Sequence, residues 1–461
     1  MTDPARRTAY QVLRAVDEGA YANIETPRAL REGRVGGRDA AFATELVYGT
    51  IRMRGLYDAV IEQAAQRPVA GIDREVLDIL RLGVHQLLSM RVPAHAAVDE
   101  TVGLCRQVVG TGASTFVNAV LRQVSEQELG AWTERVVPEG DWAARMAIRH
   151  SHPEWVVRAL RAALLGHGTS APATVEADSE RLLATDNMAP AVMLVARPGL
   201  VEEDELRDAG AEPSALSPFG FRLAEGDPGS VAAVREGRAA VQDEASQLVA
   251  AAVAAVPVEG SDSRWLDLCA GPGGKAGLLA MLAAGAGASL RANEISEHRA
   301  RLLRQTLRAA VDAGAAVDVT VGDGRDVGAE EPAGFDRVLV DAPCTGLGAL
   351  RRRPEARWRR QPSDLPGLTT LQRELLTSAL DATRPGGIVA YATCSPHLAE
   401  TRYLVADAVR RRGDVTVLDA RPFIRRRDGG PVGDVGDGPS AQLWPHLHGT
   451  DAMFLALLRK R

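Results

Sequence analysis

Two cysteines end apolar runs 50 residues apart: Cys344 in DAPCTG (341–346) and Cys394 in ATCSPH (392–397). Each has a proline and a hydroxyl residue beside it, and Asp341 precedes the first. A cysteine attacks as its thiolate, which a helix N-terminus or a nearby cation favours. Ser395 and Pro396 read as the cap and first turn of a helix over HLAETRYLVADAVRR, whose positive end would face the Cys394 thiol. Cys344 is followed by the flexible stretch TGLG. If the two runs are neighbouring strands, both sulfurs and Asp341 converge on one cleft.

A third stretch, CAGPGGKAG (269–277), follows an apolar run and opens a helix. Its glycines permit a tight turn and close backbone approach to a ligand, and the helix start adds positive dipole character. Gly271, Gly273 and Ala276 satisfy GxGxxA, a weak match taken alone. Glu294 lies 23 positions beyond Gly271, where a carboxylate grips ribose hydroxyls, and Asp323 ends a further run, placed to meet an adenine amine. A Walker A reading fails, because no glycine stands at the required place and no Ser or Thr follows Lys275. Lys275 and Lys460 are the only lysines in the chain, so a lysine in this loop is a marked choice.

Thiols and an acid beside a nucleotide-type loop suit one reaction well. Carbon-5 of cytosine is a poor nucleophile, and a thiolate adding at carbon-6 makes it enamine-like, able to take a methyl from S-adenosylmethionine. An acid near ring N3 and N4, here Asp341, stabilises the charge that develops. A base must then remove the carbon-5 proton so that the thiol can leave. Methylation of an amino group would instead favour an aromatic residue after the proline, where Cys344 stands.

These residues need a scaffold, and hydrophobic periodicity supplies its outline. Up to residue 135 the pattern is helical. Leu56, Tyr57, Val60 and Ile61 form one stripe, Leu77, Leu80 and Val84 another, and Val117, Val120, Leu121 and Val124 a third. Cys105 falls on such an apolar face and reads as core. Residues 140–240 read as a small mixed subdomain, with a helix at 152–165, a loop at 166–179, a strand at 189–199 and an acidic helix at 200–210. From 241 to 461, short apolar strands (264–271, 289–295, 317–323, 335–344, 387–395) alternate with helices, one of them capped by Ser296. That alternation predicts an α/β, doubly wound, mostly parallel sheet, which binds ligands at the carboxyl ends of its strands. Every residue singled out above lies at such an end.

Composition excludes several alternatives. Four scattered cysteines without a CxxC or His/Cys cluster fit neither a disulfide scaffold nor a metal site. The first residues lack a signal-peptide core, and the most apolar stretch, 248–258, is too short to span a bilayer, so a cytoplasmic protein without membrane association is expected. A formal net charge of −6 disfavours a wholly basic nucleic-acid binder, though not a local patch. The segment LRRRPEARWRR (350–360) is such a patch. Arg351, Arg352, Arg353 and Arg357 are placed to pair phosphates, and Trp358 to stack on a base.

The chain resembles the RNA cytosine-5 methyltransferases of the Sun branch, the bacterial small-subunit (16S) rRNA methyltransferase B type. The similarity lies in LDLCAGPGGK, DAPCTGLGALRRRPEARWRR, RPGGIVAYATCS with Glu400, and QLWPHLHGTDAMFLALLRK (442–460). RDAAFATELVYGTIRMRGLYDAVI (38–61) and STFVNAVLRQV (114–124) look like that family's NusB-like helical RNA-binding domain. The resemblance implies a Rossmann-like class I methyltransferase domain over 241–461 behind a NusB-like domain over 1–135. It implies Cys394 as the nucleophile and Cys344 as the thiol that helps resolve the covalent adduct. Cofactor contacts carry over to Cys269, Ala270, Gly271, Pro272, Gly273, Gly274, Lys275, Glu294, Asp323 and Asp341. Ala276, Glu294 and Thr401 depart from the residues commonest in the family, of which only Glu294 bears on ribose geometry. The same chemistry on tRNA, and an RNA-binding or assembly protein with an inactive methyltransferase half, are the alternatives. A dehydrogenase explains neither thiol.

Overall fold

A computed structural model describes residues 3–461. The chain divides into two compact units: residues 1–158, 179–189 and 350–360 form one, and residues 159–178, 190–349 and 361–461 the other.

The first unit is all helical. Its longer helices, Pro4–Asp17, Gly37–Arg52, Arg54–Ala65, Arg74–Leu88, Ala94–Val108 and Thr111–Val124, bury the stripes read from the sequence. Leu56, Tyr57, Val60, Ile61, Leu80, Val84, Val117 and Leu121 share one core, and Cys105 sits in it with no solvent exposure. Residues 350–360 belong to this unit and contribute the short helix Ala356–Arg359.

The second unit holds two sheets. The smaller is four-stranded, ordered β2-β3-β1-β4, from β1 (Val192–Ala196), β2 (Ala211–Pro213), β3 (Gly220–Leu223) and β4 (Ala239–Val241). Sequence reading found only β1 of these and the acidic helix, observed at Glu203–Asp208. The other three strands have three or four residues each, too few to show a period. The stretch read as a loop to residue 179 turns helical at Val175.

The larger sheet has eight strands. Five are those read from the sequence: β5 (Arg264–Asp267), β6 (Ser289–Glu294), β7 (Val317–Val321), β8 (Phe335–Asp341) and β9 (Thr383–Thr393). They pair in parallel in the order β9-β8-β5-β6-β7. Three further strands, β10 (Val415–Leu418), β11 (Ala441–Gln442) and β12 (Phe454–Lys460), extend the sheet with antiparallel pairing. β12 lies beside β9, with Phe454 opposite Thr393, so the strand that ends at the second cysteine is interior to the sheet. Near-continuous burial of Ile388–Thr393 and of Phe454–Leu458 follows from cover on both faces of the sheet. Among the described residues, no helix is long and apolar enough to cross a membrane, and no group of three or more His, Cys, Asp or Glu could hold a metal ion.

Candidate active site

The parallel pairing of β8 with β9, with Asp341 opposite Ala392, brings the two cysteine loops out of the sheet side by side. The Cys344 and Cys394 sulfurs are 3.4 Å apart. The loops are laced together by backbone as well: the Gly348 amide donates to the Cys394 carbonyl at 2.9 Å, and the Ala452 amide to the Gly348 carbonyl at 2.8 Å. A Cβ on Gly348 would stand 2.0 Å from the carbonyl oxygen of Ala452, so only glycine lets the three segments meet.

The two sulfurs differ in environment. Cys344 is buried, and its hydrogen bond to Cys394, together with that burial, holds its thiol well above the usual range. It therefore keeps its proton and can donate it towards the Cys394 sulfur. Lys275 supplies the positive charge. Its Nζ lies 2.7 Å from Asp341 Oδ2. Burial, the largest influence, pulls its ammonium down, but Asp341, Cys394 and Asp267 together outweigh it and the net shift is upward. A charged lysine that senses Cys394 favours the thiolate there.

The helix expected directly after Cys394 does not form there. Pro396 is followed by a single 3-10 turn at Leu398–Glu400, and the α-helix begins only at Arg402. Two contacts hold the loop in this form: the Ser395 hydroxyl bonds to Glu400 at 2.6 Å, and a distant histidine holds the loop backbone. His167, whose charge is suppressed to a pKa of about 4 chiefly by burial, donates from Nε2 to the Pro396 carbonyl at 2.9 Å. The thiol is thus served by a lysine and a second thiol, with no helix end involved.

The glycine loop stands beside this cleft. Gly271 and Gly273 both have positive φ, at 56° and 102°. A Cβ built on Gly271 meets nothing within 4 Å, whereas one on Gly273 would press on Thr306 at 2.8 Å. One glycine therefore leaves open space for a ligand, and the other lets the loop close on the helix behind it. Glu294, buried at the end of β6, accepts the Ser296 amide at 2.8 Å and pairs with Arg299 at 2.6 Å. Asp323 follows β7 and is engaged on both oxygens by Arg325, which also reaches Glu374 at 3.0 Å. At the mouth of the loop, burial first and the surrounding carboxylates next push the Cys269 thiol up, which disfavours its thiolate.

Asp267, the last residue of β5, joins the site without being among the residues expected from sequence. It is 1% exposed, and burial first, then Asp341, push its carboxyl up to about 7. An acid at a strand end just before a glycine loop was the available signal. Gln372, Thr345 and His167 were also missed, because their roles rest on contacts with distant segments.

The arginine segment departs from expectation. Arg357 is fully buried in the helical unit. Its guanidinium donates to the carbonyls of Ser151 at 3.0 Å and Asp186 at 3.1 Å and to Asn187 Oδ1 at 2.7 Å, and burial pulls its pKa down to about 10. Trp358 donates its indole N–H to the Ile51 carbonyl at 2.9 Å and packs against the helical core. Arg351 is also buried, and its carbonyl accepts from Arg52. The reading of Arg357 as an RNA contact is therefore corrected, because its guanidinium is buried on protein acceptors; Arg351 is buried too, and Trp358 is half-buried with its indole N–H already engaged. Arg353 is exposed, over the Tyr21 ring, and Arg352 is half-buried.

Residues 254–459 match the family model described as 16S rRNA methyltransferase RsmB/F, and residues 3–126 match that of the NusB family. A Mycobacterium tuberculosis protein named "Putative methyltransferase Rv1407" is 51% identical over 99% of this chain and 97% of its own. The ribosomal RNA small subunit methyltransferase B of Pseudomonas putida is 33% identical over 90% of this chain and 91% of its own. Among solved structures, that of PH0851 superposes with a TM-score of 0.80 at 21% identity, covering 100% of this chain and 99% of that one, a likeness of fold.

Proposed function

Since the chain belongs to the 16S rRNA methyltransferase RsmB/F family and carries a NusB family domain, we propose that it forms 5-methylcytosine in small-subunit (16S) rRNA, in the cytoplasm, with Cys394 as nucleophile. The observation that carries this reading is the 3.4 Å approach of two thiols beside the Lys275–Asp341 ion pair.

S-adenosylmethionine, when bound, supplies a methyl group on a sulfonium sulfur. The residues fit it: the loop 269–275 leaves open space at Gly271, and Glu294 ends the neighbouring strand, where ribose hydroxyls are gripped. Asp323 would hold the adenine amine, with Glu374 as the other carboxylate that Arg325 already touches.

The Cys394 thiolate, favoured by Lys275 and by the hydrogen bond from Cys344, forms a bond to cytosine carbon-6. The ring electron pair moves towards carbon-5 and N3; Asp341 accepts from the N4 amine and holds the Lys275 ammonium where its positive charge offsets the charge that develops. After carbon-5 has gained its methyl, a base takes the carbon-5 proton, and the sulfur–carbon-6 bond breaks. Cys344, protonated and in contact with Cys394, assists this resolution by returning a proton to the leaving sulfur. Arg352 and Arg353 remain as phosphate contacts.

Bisulfite mapping of 16S rRNA and tRNA from cells with and without the protein tests the reading. One methylcytosine lost from 16S rRNA is expected. Loss from tRNA moves the substrate, and no loss anywhere overturns the activity.

A further inference from the structure

One buried carboxylate ties the two thiol loops together. Glu400 has no solvent exposure. Its Oε1 accepts the Thr345 amide at 2.8 Å and Gln372 Nε2 at 3.1 Å. Its Oε2 accepts the hydroxyls of Thr345 at 2.5 Å and Ser395 at 2.6 Å. Thr345 directly follows Cys344 and Ser395 directly follows Cys394, and the two hydroxyls are themselves 2.9 Å apart. Gln372 also donates to the carbonyl of Pro343, on the other side of Cys344, at 2.8 Å. The Glu400 carbonyl in turn accepts the Tyr391 hydroxyl at 2.8 Å, which fixes the turn to β9.

An unpaired carboxylate is costly to bury, so Glu400 stays buried only while both loops present their donors to it. The energetic demand of one side chain thereby becomes a geometric constraint on two sulfurs. On the reading that Cys394 attacks and Cys344 resolves, we infer that Glu400 is a positioning residue, holding the resolving loop in register with the nucleophile loop. It touches neither sulfur; it fixes the residue after each.

Variants of the full chain separate this role from one that needs the negative charge. Glu400→Gln keeps a carbonyl oxygen for the two obligate N–H donors and turns its NH₂ to the two hydroxyls, which can accept, so the tie survives without charge. Glu400→Ala removes it. The sulfur separation is read with dibromobimane, which bridges two nearby thiols, the bridged pair being identified by peptide mass mapping. Methyl transfer is read as kcat and KM on 16S rRNA. Glu400→Ala is expected to lose the Cys344–Cys394 bridge and about 10²-fold in kcat with KM little changed, as a misplaced reacting group does. Glu400→Gln is expected to keep the bridge and most of kcat. A Glu400→Ala protein that still bridges and still turns over overturns the inference, and so does Glu400→Gln bridging normally but as inactive as Glu400→Ala. Should Glu400→Ala not fold, Thr345→Val with Ser395→Ala takes its place and must show the same losses. If the wild-type chain methylates no RNA, the functional reading fails, while the bridging comparison still decides the positioning role.

Discussion

Cys344 Sγ and Cys394 Sγ touch at 3.4 Å, one at the end of β8 and the other at the end of β9. The burial of Cys344 and its bond to Cys394 keep it a thiol, so the pair is asymmetric: one sulfur carries the proton and the other can carry the charge. Cys394→Ala is expected to abolish both methyl transfer and adduct formation. Cys344→Ala is expected to leave a protein–RNA adduct that survives denaturation, visible as a shifted band on a denaturing gel. Normal methylation by the Cys394 variant would reverse the roles.

Lys275 and Asp341 form a pair of which the lysine is buried and the acid about one-third exposed (31%). Lys275→Met strands Asp341 and removes the cation beside Cys394. A fully buried pair broken in this way costs about 3–5 kcal/mol; solvent at Asp341 should hold the cost to about 2 kcal/mol. The denaturant midpoint should fall, and alkylation of Cys394 by iodoacetamide at neutral pH should slow.

Asp267 has its carboxyl raised to about 7 in the fold, against an ordinary value near 4. Between those pH values the folded chain binds the extra proton, so this group's contribution to stability falls as pH rises through that window, by about 1.4 kcal/mol per pH unit at most. Asp267→Asn removes the titration. The stability of Asp267→Asn relative to wild type is expected to increase from pH 5 to pH 8 in urea titrations. A constant difference would refute the raised carboxyl.

Gly273 combines a φ of 102° with a Cβ direction blocked by Thr306 and Leu303. Gly273→Ala should strain the loop by about 1–3 kcal/mol. Calorimetry with S-adenosylhomocysteine should show binding weaker by about tenfold or more, with the helical unit's stability unchanged.

Arg357 is spent on protein carbonyls and Arg353 is exposed. Arg357→Ala should cost the helical unit about 3 kcal/mol, because several buried acceptors lose a charged donor. Arg353→Ala should leave the melting temperature unchanged and reduce RNA affinity, most at low salt. RNA titration of the folded fraction of each variant, together with thermal melts, checks both.

Much was legible in the sequence because the signals were local. Five of the eight strands of the larger sheet were readable from apolar runs of four or more residues bounded by glycine and polar turns. Ser296 caps its helix as its type demands, accepting the Arg299 amide. β10, β11 and β12 escaped, since antiparallel strands that close a sheet carry no αβ alternation to mark them. The arginine run misled for a related reason: its composition reports charge, while whether that charge faces solvent or a cluster of carbonyls depends on residues up to 343 positions away.

By itself the sequence determined which residue types stand at which strand ends, because period and punctuation are properties of neighbours along the chain. It thereby determined the parallel sheet, the glycine loop and the pair of candidate thiols. Only the tertiary structure decided which groups serve Cys394. β8 and β9 had to lie side by side before Cys344 could reach it. Lys275 and Asp341, 66 positions apart, had to meet across the cleft, and Glu400 had to be buried between both loops. Those are long-range contacts fixed by burial and hydrogen-bond satisfaction, which no local pattern encodes. They replace the helix start that the residues after Cys394 suggested.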